Sequence, residues 1–228
     1  MTRGQKNSAK AAAVVILSPL IFSTLLSTIK FFSHIFLKAA ITFPFIIGFL
    51  AYVPVYFRFP DSGYGYVLSH ELAHAAAAVA SGIKIKKISV RRNSGHVTLA
   101  GNNIFILLAP YFIPFYALAA GILYATLSCF YDVSDYRRIC IGIIGFLISH
   151  HIMNTANVLF GPVQSDIKKA GGVVFSFLTV VFLNSLFLMA ILKFIFPDII
   201  SLSVFGKDIA LRTQGFIAVF SRFILSKW

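Results

Sequence analysis

The chain has 228 residues, of which 58% are hydrophobic and 12% charged. Soluble domains carry about 25% charged residues, so a water-soluble globular protein is excluded. Twenty Lys and Arg against seven acids leave a formal net charge of +13; because these cations flank apolar runs, they fit anchorage to anionic headgroups, and nucleic acid is not expected as a partner.

A helix needs roughly 20 apolar residues to cross about 30 Å of hydrocarbon. Six stretches meet that need, at 11–29, 39–57, 62–82, 103–130, 139–160 and 171–196. The first follows Arg3, Lys6 and Lys10 but has no small-x-small cleavage site, and further spans come after it, so it is read as a retained helix. Pro44 and Pro54 are expected to kink the second span, and Pro110 and Pro114 the fourth. From 198 to 228, Lys207, Asp208, Arg212 and Arg222 are mixed with apolar residues, which suits an interfacial amphipathic segment rather than a seventh span. With no repeat and no linker, the expected architecture is an all-α polytopic membrane protein. It forms a single domain over 1–228, with its core at about 62–172 and an amphipathic C-terminal tail. Cys129 and Cys140 have neither CxxC nor metal-ligand spacing, so no disulfide framework is expected.

One element breaks the helical pattern. Residues 83–90 (IKIKKISV) alternate apolar and basic side chains, Asn93, Ser94 and Gly95 supply turn chemistry, and 96–100 resumes with β-branched residues. This predicts a short membrane-associated β-hairpin immediately after the third span.

The chemistry is concentrated in that third span, YGYVLSHELAHAAAAVASG. His70, Glu71 and His74 form H-E-x-x-H. On a helix, positions i and i+4 lie about 40° apart around the axis and one turn apart along it, so two imidazoles can share one zinc ion. The glutamate beside the first can hold a water and take its proton as it attacks a carbonyl. Glu71 is the only glutamate of the chain, and a random sequence of this composition yields the pattern on the order of once per thousand. Ionisable groups within a span are costly and for that reason are usually functional.

The third ligand is less direct. A metzincin-type histidine is excluded because Ala80 occupies its place, and no second glutamate exists. His34, His96, His150, His151 and the aspartates remain. Asp61 lies too far along the same helix, Asp132 and Asp135 fall in the loop after the fourth span, and Asp166 follows the fifth span, on the hairpin side.

SHELAH in a span, then a hairpin, then LLAPYFIP, then an aspartate near a later helix, resembles the site-2 protease family of intramembrane zinc metalloproteases. The resemblance covers about half the chain, 62–172. It implies one zinc ion per chain held by His70, His74 and Asp166, with Glu71 as general base. It also implies a re-entrant β element that presents an extended substrate to the site. The family pattern Asn-x-x-Pro-x-x-x-x-Asp-Gly is not reproduced: Asn157 stands five residues before Pro162, Pro162 four before Asp166, and Ile167 follows. A carboxylate ligand nonetheless offsets the charge of a dication that two neutral imidazoles leave uncompensated.

His150, Asn154 and Asn157 recur at i, i+4 and i+7 on one face of the fifth span. That stripe could line a substrate cleft or hold an oxyanion, and it could equally serve interhelical hydrogen bonding. The resulting expectation is an integral, multi-pass protein of the cell membrane that cleaves a peptide bond in or near a transmembrane segment of a membrane-protein substrate, such as a single-span protein. The alternative is an inactive relative or a transporter-like protein that binds a ligand without proteolysis. By the positive-inside rule, Lys84, Lys86, Lys87, Arg91, Arg92, Lys168 and Lys169 are expected on the cytoplasmic side.

Overall fold

The computed structural model describes residues 3–59, 63–92 and 94–226. Asp61 and the turn residue Asn93 lie outside them. The chain is mostly helical, with one small antiparallel sheet, and divides into two compact units.

The first unit is built on α1 (Arg3–Leu37), α8 (Val173–Ile195) and α9 (Leu202–Leu225). Along α9, Phe205 packs edge-to-face on Phe31 of α1, with ring centroids 5.4 Å apart. One turn further on, Asp208 accepts hydrogen bonds from Ser27 Oγ at 2.7 Å, Lys30 Nζ at 2.7 Å and Arg212 Nε at 2.8 Å. An isolated acid would be costly here, and these three donors satisfy it. Several other large apolar side chains of α9, among them Leu211, Val219 and Phe220, are exposed, as an interfacial helix requires.

The second unit spans Lys38 to Val173 and carries the hairpin. Its longest packing contact joins α2 (Ala39–Arg58) to α6 (Arg137–Phe160). Gly48 faces Gly142, and Gly145 faces Phe45. A β-carbon on Gly48 would collide with the Gly142 carbonyl, and one on Gly145 with the Phe45 carbonyl. The two backbones therefore touch, the device by which small residues let helices associate in lipid.

Helix α3 (Gly63–Ala80) ends where Gly82 adopts φ 67° and the Ile83 N–H returns to the Ala78 carbonyl at 2.8 Å. The expected hairpin follows as β1 (Ile85–Val90) and β2 (Gly95–Leu99), antiparallel, with Val90 opposite Gly95 and Ile88 opposite Val97. A bulge between Ile85 and Lys87 absorbs one extra residue. Asn103 then caps α4 (Ile104–Phe112), its Oδ1 accepting the Ile106 N–H at 2.8 Å.

The fourth apolar stretch is not one straight span. It breaks after Phe112, and α5 (Phe115–Ser128) leaves at 77°. Pro114 has no N–H to donate and forces Ile113 out of helical geometry, to φ −93° and ψ 108°. A 3₁₀ turn, Ser134–Tyr136, precedes α6, and beyond Gly161 and Pro162 a short α7 (Ser165–Ala170) follows.

Among the described residues, four helices are long and apolar enough to cross a membrane: Val14–Leu37 of α1, α2, the stretch Ser134–Phe160 that contains α6, and α8. Counting the bent α4–α5 pair as one span gives up to five. Helix α3 falls short of that apolarity because Ser69, His70, Glu71 and His74 occupy its middle.

Candidate metal centre

The helical period alone brings His70 and His74 together on one face of α3, with ring centroids 4.8 Å apart. The third group arrives from α7. Asp166 Oδ2 lies 3.7 Å from His70 Nε2 and 3.5 Å from His74 Nε2. One atom from each of the three residues falls within 4.8 Å of the other two. Ligand atoms about 2.0–2.1 Å from a tetrahedral dication stand roughly 3.3 Å apart, a separation that the two histidine–aspartate distances approach.

Each imidazole turns Nε2 to the aspartate, which leaves Nδ1 facing away. His74 Nδ1–H donates to the Ile106 carbonyl at 2.8 Å. A carbonyl can only accept, so this bond sets the tautomer and frees the Nε2 lone pair for a metal. Burial pushes the Asp166 carboxyl up, and positive charge at the His70 and His74 positions more than reverses it and holds it well below the usual carboxylate range; a dication held by neutral imidazoles would supply that charge in their place. Asp166 is therefore an anion at neutral pH, as a ligand must be.

Glu71 is 6% exposed and lies under the start of β2, against Gly95. The two histidines, Glu71 and Asp166 all line one open cavity of about 550 Å³, a volume ample for a peptide segment. Ser94 and, from β2, Gly95, His96, Val97 and Leu99 also line it. That strand pairs with β1 on one edge only, and its other edge has no strand partner among the described residues.

The polar stripe of α6 is placed elsewhere. His150 and Asn154 line a second, much smaller cavity behind His70, not the large one. Asn154 Nδ2 donates to Tyr52 Oη of α2 at 3.1 Å and to the His150 carbonyl at 2.8 Å, the pattern of an interhelical tie. Asn157 is exposed and lines neither cavity. His96 sits on β2 at the rim of the large cavity, outside the ligand trio.

Sequence reasoning passed over several residues around the centre. Tyr66, one turn before His70, lies beside it with ring centroids 5.7 Å apart, and Tyr111 flanks it from α4 at 5.4 Å. Tyr111 Oη donates to Gln164 Oε1 at 2.8 Å, tying α4 to the segment that delivers Asp166. Extending the i, i+4 ladder backwards from His70 would have found Tyr66; no local pattern marks Tyr111 or Gln164. Comparison with family models, curated proteins and solved structures returned no match for this chain.

Proposed function

We propose that this chain is an intramembrane zinc endopeptidase of the site-2 protease kind, embedded in the cell membrane and acting on a membrane-protein substrate. One observation carries the reading: two HExxH histidines and a distant aspartate bring their ligand atoms within 4.8 Å of one another, beside the chain's only glutamate, in a cavity that residues of β2 also line.

His70, His74 and Asp166 are the residues that hold zinc, with the His74 ring oriented by the Ile106 carbonyl. When bound, zinc supplies Lewis acidity that acidifies a water and polarises a carbonyl. Glu71 accepts the proton of the attacking water and passes it to the departing amine. The free edge of β2 takes a substrate segment as an added strand. Its backbone hydrogen bonds compensate those a helix loses when it is drawn out for cleavage. In this reading α3 and the α4–α5 pair join α1, α2, α6 and α8 as six membrane segments. The ionisable centre of α3 is tolerated because it faces protein and cavity rather than lipid.

The test is co-expression with a panel of tagged single-span membrane proteins, comparing wild type with Glu71→Gln. The substitution keeps size and both imidazoles, so zinc remains bound while cleavage falls by about a hundredfold or more. A purified wild-type chain that holds no zinc, or Glu71→Gln cleaving at the wild-type rate, rejects the proposal.

A further inference from the structure

The two histidines of the centre are not equally supported. His74 hands its Nδ1–H to Ile106, whereas His70 Nδ1 is buried and has no hydrogen-bond partner. The His70 side chain is only 11% exposed. A metal-binding imidazole almost always donates its second ring N–H to an oxygen, and a buried donor left without one is rare. The Tyr66 hydroxyl, one helical turn away, is also buried with no partner at hydrogen-bond distance, the Gln164 side chain standing close enough to influence it.

Both residues line the large cavity and also the small one behind His70. Its space for water centres is about 10 Å³, roughly what a single water occupies. Three of the other polar side chains around it are engaged: Ser69 Oγ donates to the Tyr66 carbonyl at 2.9 Å, Tyr116 Oη to the Gly65 carbonyl at 2.6 Å, and Thr155 Oγ1 to the Tyr111 carbonyl at 3.4 Å. His150 closes a further side of the cavity.

We infer that this cavity binds one ordered water that accepts the His70 Nδ1–H and is held by the Tyr66 hydroxyl, which makes Tyr66 a positioning residue for the first metal ligand. A single molecule then satisfies both orphaned groups. It fixes His70 in the tautomer that turns the Nε2 lone pair to the metal, as Ile106 does for His74. Tyr66, His70 and His74 thus form one ladder along α3, in which the first member supports the second. The inference rests on the metal-site reading above, and metal binding rather than proteolysis is its readout.

The experiment uses the full chain purified in detergent, with zinc affinity measured by competition against a chromophoric chelator and site geometry by the visible spectrum of Co²⁺. Tyr66→Phe keeps the ring and removes only the hydroxyl. It is expected to weaken zinc binding by about tenfold or more and to shift the Co²⁺ bands. Tyr124, whose hydroxyl donates to the Val133 carbonyl, lines neither cavity, and Tyr124→Phe should leave affinity and spectrum unchanged. Wild-type affinity and spectrum in Tyr66→Phe, or equal losses in the two variants, overturns the inference while the metal site stands. Absence of metal from the wild type overturns the site itself, and the inference with it. A second measurement needs no variant: in ¹⁵N-histidine-labelled wild type, His70 Nδ1–H should be protected from exchange and show a cross-peak to a long-lived water. A rapidly exchanging Nδ1–H without that cross-peak overturns the inference.

Discussion

Gly95 at the start of β2 lies directly on the side chain of Glu71: a β-carbon there would stand 2.6 Å from Glu71 Cγ and 2.9 Å from Glu71 Oε1. The glycine is required by this close approach, since its φ is not in the left-handed region. The hairpin tip and the Glu71 carboxylate thus share one small volume, and a shift of either presses on the other.

Gly95→Ala should therefore displace the carboxylate or lift the hairpin without touching a metal ligand. Displacement of a reacting group by about 1 Å costs on the order of a hundredfold in rate. The expected result is wild-type zinc content with cleavage reduced by roughly ten- to a hundredfold. Metal analysis and a cleavage assay on the same preparation check it, and unimpaired cleavage would show that the Gly95–Glu71 contact has no functional weight.

Removing Asp166 should empty the centre. Asp166→Ala leaves two neutral imidazoles to hold a dication, and zinc affinity should fall by more than about a hundredfold. Asp166→Asn, which keeps the shape and loses the charge, should fall nearly as far. Chelator competition on the two variants decides the point; zinc retained at wild-type affinity in both would remove Asp166 from the ligand set.

Acid should loosen α9 from α1. The hydrogen bonds that Asp208 accepts from Arg212 and Lys30 hold its carboxyl well below the usual carboxylate range. A carboxyl depressed in the folded state contributes stability that is fully present above its unfolded value, about 4, and is lost as pH falls through the folded value. Backbone hydrogen exchange in 202–225 should accordingly quicken below about pH 4, after allowance for intrinsic rates. In Asp208→Asn it should already be fast at pH 7 and gain little more from acid. Equal protection of wild type and variant at pH 7 would rule out this anchoring.

The contact of α2 with α6 should be intolerant of a single methyl group. Gly48→Ala places a β-carbon against the Gly142 carbonyl, and backbone cannot give way as a side-chain tip can. Overpacking of this kind costs about 1–3 kcal/mol. Thermal unfolding in detergent should show a lower midpoint for Gly48→Ala, and for Gly145→Ala by the same argument, than for a substitution on the exposed face such as Leu50→Ala.

What sequence alone determined is everything that depends on local spacing. Composition foretold helices apolar enough to cross a membrane, because apolar content and the placement of charge need no tertiary information. The IKIKKISV alternation and its turn residues foretold the hairpin, since a period of two has one regular solution. His70 and His74 had to meet, because four residues are one turn of helix. The tertiary structure decided what distance along the chain conceals. Asp166 reaches the histidines only because the chain breaks at Gly161 and Pro162 and starts α7 beside α4, and its spacing from Asn157 and Pro162 followed no familiar pattern. The break at Ile113 and Pro114 turned one expected span into two helices at 77°, a consequence of proline chemistry whose angle depends on packing. The stripe of His150, Asn154 and Asn157 shows the converse. Helical spacing placed the three residues on one face, but Tyr52 on α2 claimed Asn154, and Asn157 was left exposed. Which way a helix face points is settled by its neighbours, and they are not written in its own residues.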